Sequence, residues 1–122
     1  DVGYELVDVG PGWCESVLTV APKHLQHSGV IHAGVQATMA DHTAGAAGST
    51  VLSKEEYVLT VEFKINLLRA ATAERLRCKA QILKPGKRLS IVESEVFAEK
   101  GESTKLISKA TVTLAVLPKP PQ

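Results

Sequence analysis

A lone carboxylate is the residue of this sequence with the clearest potential for chemistry. Residues 24–53 contain one formally charged residue, Asp41, among small, apolar and neutral polar residues. Because an isolated carboxylate is costly to bury, it needs hydrogen-bond donors or a shifted pKa. Asp41 is therefore either a helix cap or hydrogen-bonded core residue, or a functional carboxylate held in a dry site.

Two other groupings of reactive side chains give weaker signals. His32, Asp41 and His42 are of the types that bind metals, but spacings of nine and ten residues do not place the two later residues on one helical face with His32. Ser28 or Ser49 could act as a nucleophile in a triad, yet the chain has no G-x-S-x-G elbow. The sequence therefore favours neither a metal site nor a serine triad.

The spacing of apolar residues predicts the elements that hold these side chains. Val35 and Met39 lie four residues apart in an alanine-rich segment, which is helical spacing, and Gly48 suits a C-terminal cap. The predicted helix covers residues 33–47, and its many small residues indicate that another element packs very close to it. Strands are predicted over residues 15–20, 57–68, 73–83, 89–98 and 105–117.

The strand predicted over residues 57–68 has the clearest alternation. Its expected apolar face consists of Leu59, Val61, Phe63, Ile65 and Leu67, and its opposite face of Thr60, Glu62, Lys64 and Asn66. Residues 84–87 (K-P-G-K) have the signature of a type II turn. The four strands after the helix predict an antiparallel meander whose apolar face the single helix covers.

Composition excludes several classes of protein. The 122 residues are 44% apolar and carry a formal net charge of +1, which argues against a disordered chain and against a nucleic-acid binder. No run of ~18 apolar residues and no signal-peptide layout occurs, so we expect a cytoplasmic protein without a membrane span. Cys14 and Cys78 are too few for a disulfide scaffold and are expected to be unpaired thiols. We expect one domain over residues 1–122, with flexible ends at residues 1–12 and 118–122.

A motif around the predicted helix start resembles a known family. The chain reads Gln26-x-x-Gly29-x-x-His32-Ala33-Gly34, with Asp41 nine residues after the histidine. This pattern is similar to that of the hotdog-fold acyl-CoA thioesterases, and the closest match is the phenylacetate-pathway (PaaI-like) group. The family has His-Gly-Gly where this chain has His-Ala-Gly. The resemblance covers residues 18–117 and implies an α+β hotdog fold, in which an antiparallel curved sheet wraps around one central helix.

The resemblance also implies roles for individual residues. Asp41 would be the catalytic carboxylate, either as nucleophile on the thioester or as general base for water. The backbone N–H of Ala33 would donate to the oxyanion, and a helix N-terminus suits this role because its free N–H groups stabilise developing charge by ~3–4 kcal/mol. Gln26 would lie near the thioester or position water, His32 would shape the turn and help hold the thioester, and Thr60 would orient the water.

Substrate binding and assembly follow from the same resemblance. Gly34 is expected to contact substrate, and Lys84, Lys87 and Arg88 are either a solvated turn or contacts for the coenzyme A phosphates. Coenzyme A enters as part of the substrate, and no metal or other cofactor is implied. Asp41 lies ~10–13 Å from the helix start along one helix. In the family, a dimer solves this by combining the acid of one chain with the helix start of the other, so we expect a homodimer or homotetramer.

Two other functions stay open at this point. A hydratase or dehydratase of acyl groups uses the same fold, but it usually pairs a histidine with an acid at a different spacing. A non-catalytic acyl-CoA-binding module is the other alternative, and the presence of Asp41 counts against it. The sequence does not indicate which acyl group is bound.

Overall fold

In the part of the chain that the structure describes, a six-stranded antiparallel sheet wraps around one α-helix. The computed structural model describes residues 3–121. Its helix is α1 (Ala33–Ser49), preceded by a short 3₁₀ helix (Pro22–His24). The strands are β1 (Glu5–Gly10), β2 (Trp13–Thr19), β3 (Glu56–Leu67), β4 (Arg75–Lys84), β5 (Leu89–Lys100) and β6 (Ser103–Pro118). The expected α+β architecture, with a curved sheet around one central helix, is confirmed.

The order of the strands differs from the predicted meander. The sheet runs β1-β2-β4-β5-β6-β3, so β4, β5 and β6 are consecutive neighbours but β3 pairs with β6. β2 lies beside β4 along seven residue pairs and occupies the position that a meander would give to β3. The first strand after the helix therefore forms one edge of the sheet, and β1 forms the other.

Small residues bring α1 close to the sheet. Met39, Ala40, Ala44 and Ala47 are fully buried in the core, where they meet the inward side chains of the strands. The sequence pattern predicts Gly48 as the C-terminal cap, but the cap is Thr50, and Gly48 lies inside the helix. A methyl group there would clash with the Leu114 side chain. The predicted close packing of this helix is confirmed. Within residues 3–121, no helix has both the length and the apolarity that crossing a membrane requires.

A β-bulge in β3 overturns the predicted division of its two faces. The pairing with β6 shifts register between Thr60 and Glu62, which leaves Val61 as the extra residue. The side-chain phase therefore changes at this point. Val61 is 55% exposed, whereas Phe63 packs against the core and Thr60 is half-buried. The prediction that Leu59 and Val61 share a buried face with Phe63 is thus wrong.

The turn at residues 84–88 is also different from the prediction. Gly86 does not have the positive φ that the third position of a type II turn requires. Glycine is needed there for space, because a β-carbon would collide with the backbone carbonyl oxygen of Leu89. The amide of Gly86 donates a hydrogen bond to Ser90 Oγ at 3.3 Å, which ties the turn to β5.

The predicted flexible ends contain ordered contacts. Residues 5–10 form β1, so the expectation of a flexible segment over residues 1–12 is wrong for this part. Residues 1 and 2 lie outside the described residues. Apolar residues fall side by side at Leu6 and Val7, and this hid the strand because no two-residue period results. At the other end, β6 extends to Pro118, and the Lys119 amide donates to the Glu55 carbonyl at 2.7 Å.

A ladder of ion pairs covers the outer face of the sheet. Glu99 on β5 accepts hydrogen bonds from Arg75 at 2.7 Å and Arg77 at 2.9 Å, and Arg77 also reaches Glu15 on β2 at 3.2 Å. Burial alone would raise the pKa of Glu99, but the bonds from Arg77 and Arg75 outweigh it, so its pKa lies below the usual value. This carboxylate is therefore stabilised in its charged form by folding.

We expect Glu99→Gln to lower the free energy of unfolding at pH 7 by about 1–3 kcal/mol, as for lost charge-assisted bonds. Because the folded pKa is lowered, this contribution is complete above the usual value of 4.5 and is lost as the pH falls through the folded pKa. Urea unfolding at pH 7 and at stepwise lower pH should show that the free energies of unfolding of the parent protein and the Glu99→Gln variant converge in acid. The exposed acid Glu102, on the β5–β6 turn, provides the control, since Glu102→Gln should leave stability nearly unchanged throughout. A difference that persists in strong acid would contradict this account.

Candidate active site

Asp41 and Thr60 form the first part of the candidate site. Asp41 is half-buried on α1 beside β3, and its Oδ1 accepts a hydrogen bond from Thr60 Oγ1 at 2.7 Å. Within residues 3–121, the Asp41 side chain makes no other hydrogen bond. The second carboxylate oxygen therefore has no protein donor in this part of the chain and is free to interact with water or a reacting group.

The β-bulge explains how Thr60 reaches Asp41. Without the extra residue, the strand phase set by Phe63 would turn Thr60 away from the helix, as the sequence pattern predicted. The shift at Val61 brings the hydroxyl to the helix side, where its donor meets the carboxylate. A threonine hydroxyl can donate one hydrogen, and here that hydrogen goes to the carboxylate and favours one orientation of the Asp41 side chain.

The loop before α1 forms the second part of the site. A β-bridge joins Leu25 to Ile31, and the Gln26 amide donates to the Val30 carbonyl at 2.7 Å, which closes a tight loop. The His32 amide donates to the His24 carbonyl at 3.0 Å and holds the end of this loop. Gln26 and His32 line one open cavity of about 590 Å³ together with Leu25, His27 and Ser28.

The start of α1 presents free hydrogen-bond donors. His32 is the N-cap residue, and its side chain makes no capping bond. The Gln36 amide is the first to find an acceptor near the helix start, the His32 carbonyl at 3.3 Å. Among residues 3–121, no acceptor pairs with the amides of Ala33 and Gly34. Because helix N-termini carry partial positive charge, these amides are suited to hold an oxygen that gains negative charge.

The structure thus gathers the predicted site residues into separate groups. Gln26, His32, Ala33 and Gly34 lie at the start of α1, while Asp41 and Thr60 lie farther along it. The exposed cations Lys84, Lys87 and Arg88 lie at the other end of the sheet. The Val116 amide donates to the Arg88 carbonyl there. Lys87 lines a cavity with Val51 and Leu52, just beyond the end of α1. Within one chain, these cations are therefore not brought to the helix start.

One neighbour of the site was missed from the sequence. The Tyr4 ring packs against the ring of His42, the residue that follows Asp41, with the ring centroids 5.7 Å apart. Burial raises the pKa of Tyr4, and the nearby Cys14 and Asp41 raise it further, so the phenol stays protonated. Residues 1–12 lacked strand alternation and gave no signal that could have placed Tyr4 beside the carboxylate.

The two thiols are buried and free, as expected. Burial raises the pKa of Cys78 to about 12, and its hydrogen bonds with Thr43 and Ser94 offset this only in part. Burial also raises the pKa of Cys14. Both cysteines are therefore thiols at neutral pH and poor nucleophiles. In the described part of the chain, no three His, Cys, Asp or Glu side chains lie close enough together to hold a metal ion.

Comparison with known proteins decides the family. The family model described as the Thioesterase superfamily matches residues 28–105, which include the last part of the loop before α1, the helix and Thr60. The chain belongs to this family. The predicted resemblance to hotdog-fold thioesterases is confirmed, and the protein is a thioester hydrolase.

Individual thioesterases show the same relationship. A thioesterase family protein from Silicibacter pomeroyi is 32% identical, with a TM-score of 0.93 over 96% of this chain and 86% of that one. A 1,4-dihydroxy-2-naphthoyl-CoA hydrolase from Escherichia coli is 27% identical over 96% of this chain and 82% of its own length. The phenylacetic acid degradation protein PaaI from Thermus thermophilus is 22% identical, and its TM-score of 0.83 over 95% of each chain shows the same fold.

Proposed function

We propose that this thioesterase hydrolyses an acyl-CoA thioester to a carboxylic acid and free coenzyme A. The observation that carries the proposal is the pair of reactive features on α1. One helix presents unpaired amides at Ala33 and Gly34 and, farther along, a carboxylate oriented by Thr60. The E. coli relative of similar length is named as an acyl-CoA hydrolase, which supports coenzyme A as the thiol.

The proposed chemistry uses these groups in one addition–elimination sequence. The amides of Ala33 and Gly34 hold the carbonyl oxygen of the thioester as it becomes negatively charged, which is worth about 3–4 kcal/mol for one donor. Asp41 either takes a proton from the attacking water or attacks the carbonyl carbon itself, forming an anhydride that water then opens. In both routes the C–S bond breaks, a hydroxyl group from water ends on the acid, and the sulfur leaves as the thiol of coenzyme A.

The remaining site residues have supporting roles in this proposal. Thr60 donates to one oxygen of Asp41 and leaves the other for the reaction. Gln26, in the cavity at the helix start, positions the thioester or water, and His32 shapes the turn that exposes the helix amides. The reaction needs only water, a carboxylate and backbone donors, so it calls for no metal or cofactor.

A second copy of the chain is required to complete the proposed site. Asp41 follows Ala33 by eight residues, about 12 Å along the helix axis. This is too far for both to reach one thioester carbonyl. We propose that two copies place their helices antiparallel, so that Asp41 of one protomer lies near Ala33 of its partner. Gly34 and Gly45 suit this approach. A β-carbon at either position would meet nothing within 4 Å in the single chain, so the space beside these glycines is open to a partner helix.

The edge of the sheet supports the same assembly. Among the strands of residues 3–121, β3 pairs with β6 and has no second neighbour, and a long edge strand of this kind invites pairing with another strand. It exposes apolar side chains at Tyr57, Leu59, Val61 and Leu67. We propose that β3 strands of two protomers pair here, so that sizing in solution should give a dimer or a multiple of it.

A thiol-release assay tests the proposed function. The protein is incubated with aryl, short-chain and long-chain acyl-CoAs, and free coenzyme A is detected with a thiol reagent. Release above the uncatalysed rate for at least one substrate is expected. A parallel assay for double-bond formation or hydration separates hydrolysis from hydratase chemistry. Absence of thiol release across the panel would overturn the proposal.

The cations of the turn are predicted to bind the coenzyme A phosphates. The combined variant Lys84→Ala, Lys87→Ala, Arg88→Ala should raise KM for acyl-CoA by about tenfold, because charge-assisted contacts to phosphate are lost. The same acyl group on N-acetylcysteamine lacks the nucleotide, so its KM should not change. Comparing the two thioesters isolates the phosphate contribution.

A second cluster of cations provides the matched control. Arg69, Lys100 and Lys105 line a cavity of about 370 Å³ near the opposite end of β5. Changing all three to alanine removes the same charge and should leave KM for acyl-CoA nearly unchanged. If this second variant raises KM instead, or if the truncated thioester is affected equally, the assignment of the turn is wrong.

A further inference from the structure

A buried polar cluster lies between α1 and the sheet, outside the site described above. Its members are Ser16 on β2, Thr43 on α1, Cys78 on β4 and Ser94 on β5, and each is fully buried. Ser16 and Cys78 are direct cross-strand partners. Polar side chains at the centre of a small core are costly unless they are hydrogen-bonded, so their bonds indicate what they do.

The hydroxyl groups bind the helix backbone immediately before Asp41. Ser94 Oγ donates to the Ala40 carbonyl at 2.8 Å, and Thr43 Oγ1 donates to the Met39 carbonyl at 2.6 Å. Because the single hydroxyl hydrogen of Thr43 is used in this way, Ser16 Oγ donates to Thr43 Oγ1, 2.7 Å away. β5 is thus tied to Ala40 of α1, and β2 is tied to Thr43, three residues farther along the helix.

Apart from Gln36, Met39 and Thr43, the buried face of the helix is smooth, so directional bonds help to hold its position. Ala40, Ala44, Ala47 and Gly48 present almost no side chain to the sheet. Packing of this kind allows close approach but opposes sliding or rotation only weakly, whereas hydrogen bonds are directional. The bond from Ser94 ends on the carbonyl of the peptide group that contains the Asp41 amide, so it restrains the backbone from which the Asp41 side chain extends.

We propose that Ser94 is a positioning residue for the hydrolytic reaction. It fixes α1 on β5 so that the Asp41 carboxylate meets both Thr60 and the thioester. Ser94 touches neither substrate nor carboxylate, and it acts through the helix backbone. The inference depends on the proposed function, because it assumes that Asp41 performs the chemistry.

The variant Ser94→Ala tests this role. We expect kcat to fall about tenfold, since misplacement of a reacting group by a fraction of an ångström is costly, while KM stays within about twofold. Ser108→Ala is the matched control. Ser108 is also a fully buried serine facing the core, but its hydroxyl has no hydrogen-bond partner among the described residues, so its removal should leave kcat unchanged.

A double-mutant cycle with Thr60→Val distinguishes positioning from a general loss of stability. If Ser94 acts through the Asp41–Thr60 pair, Ser94→Ala should cost less than about threefold in kcat once Thr60 is replaced, because coupled residues are not additive. Thermal unfolding identifies the folded fraction of each variant. If Ser94→Ala does not fold, Ser94→Cys, with a similar volume and a weaker donor, is measured in its place.

Three results would overturn the inference: an unchanged kcat in the folded Ser94 variant, an equal loss in Ser108→Ala, or effects of Ser94 and Thr60 that simply multiply. Asp41→Asn separates this inference from the proposed function. If that variant loses activity while the Ser94 variant does not, only the positioning role fails. If Asp41→Asn remains active, the role proposed for Asp41 fails and the positioning role fails with it, whereas absence of thiol release by the parent protein would overturn the proposed function itself.

Discussion

Replacing Asp41 by asparagine is expected to lower kcat for acyl-CoA hydrolysis by about 10²–10⁴-fold, the usual contribution of a positioned acid or base. Asparagine has nearly the same shape and keeps an oxygen that accepts from Thr60, which now lies 2.7 Å from Oδ1. It has no negative charge, so it can neither remove a proton from water nor attack the thioester. Steady-state thiol release measures the loss, and KM should change little.

Glu62 offers a matched control on the same strand as Thr60. Its carboxylate also accepts a hydrogen bond from a threonine hydroxyl, that of Thr113 at 3.2 Å. Glu62→Gln therefore makes the same chemical change outside the proposed site and should leave kcat within about twofold. Both variants should unfold at nearly the temperature of the parent. An Asp41→Asn protein that hydrolyses acyl-CoA at close to the parent rate would remove Asp41 from the mechanism.

Asp41 could be found from the sequence because charge is informative where it is scarce. Burial penalises an isolated carboxylate, so one acid in a segment without other charges needs a specific reason. The start of α1 was equally accessible, since the motif at His32 and Ala33 fixes where the helix begins. These features are local, and neighbouring residues in the chain are enough to define them.

The contact between Asp41 and Thr60 was not accessible in the same way. It depends on a one-residue bulge, and Val61 is as good a strand residue as its neighbours, so nothing in its chemistry marks the extra position. The resemblance pointed to Thr60, but the strand pattern placed it on the opposite face from Phe63. A single inserted residue reverses the phase of every residue before it.

The order of the strands could not be obtained from local patterns either. Alternation indicates that a segment is a strand and which side is apolar, but it does not name the neighbouring strand. β3 pairs with β6 because β2 already lies beside β4, and this is a property of the whole sheet. The consequence is functional, because it leaves β3 as the free edge at which a second protomer is proposed to pair.

The helix amides allow an equally strong test through proline. Ala33→Pro removes the N–H of the first helical residue, and we expect kcat to fall about 10²–10³-fold, as for loss of an oxyanion donor. The helix should tolerate the change, because proline is favoured at this position, and His32, with φ −59° and ψ 136°, already has the extended backbone required before proline. Ala33→Gly keeps the N–H and should retain activity. Equal losses in both variants would contradict a role for the amide.

Combining the two inactive proteins tests whether the site is shared. Asp41→Asn and Ala33→Pro chains are co-expressed with different tags, and the mixed dimer is purified. If each site takes its acid from one protomer and its helix start from the partner, one site of the mixed dimer has both groups intact and the other has neither. The mixed dimer should then show about half the parent activity, as expected for a two-fold symmetric pair of sites. If each chain contains a complete site, the mixed dimer stays as inactive as its two parents, and the role of the second protomer must be abandoned.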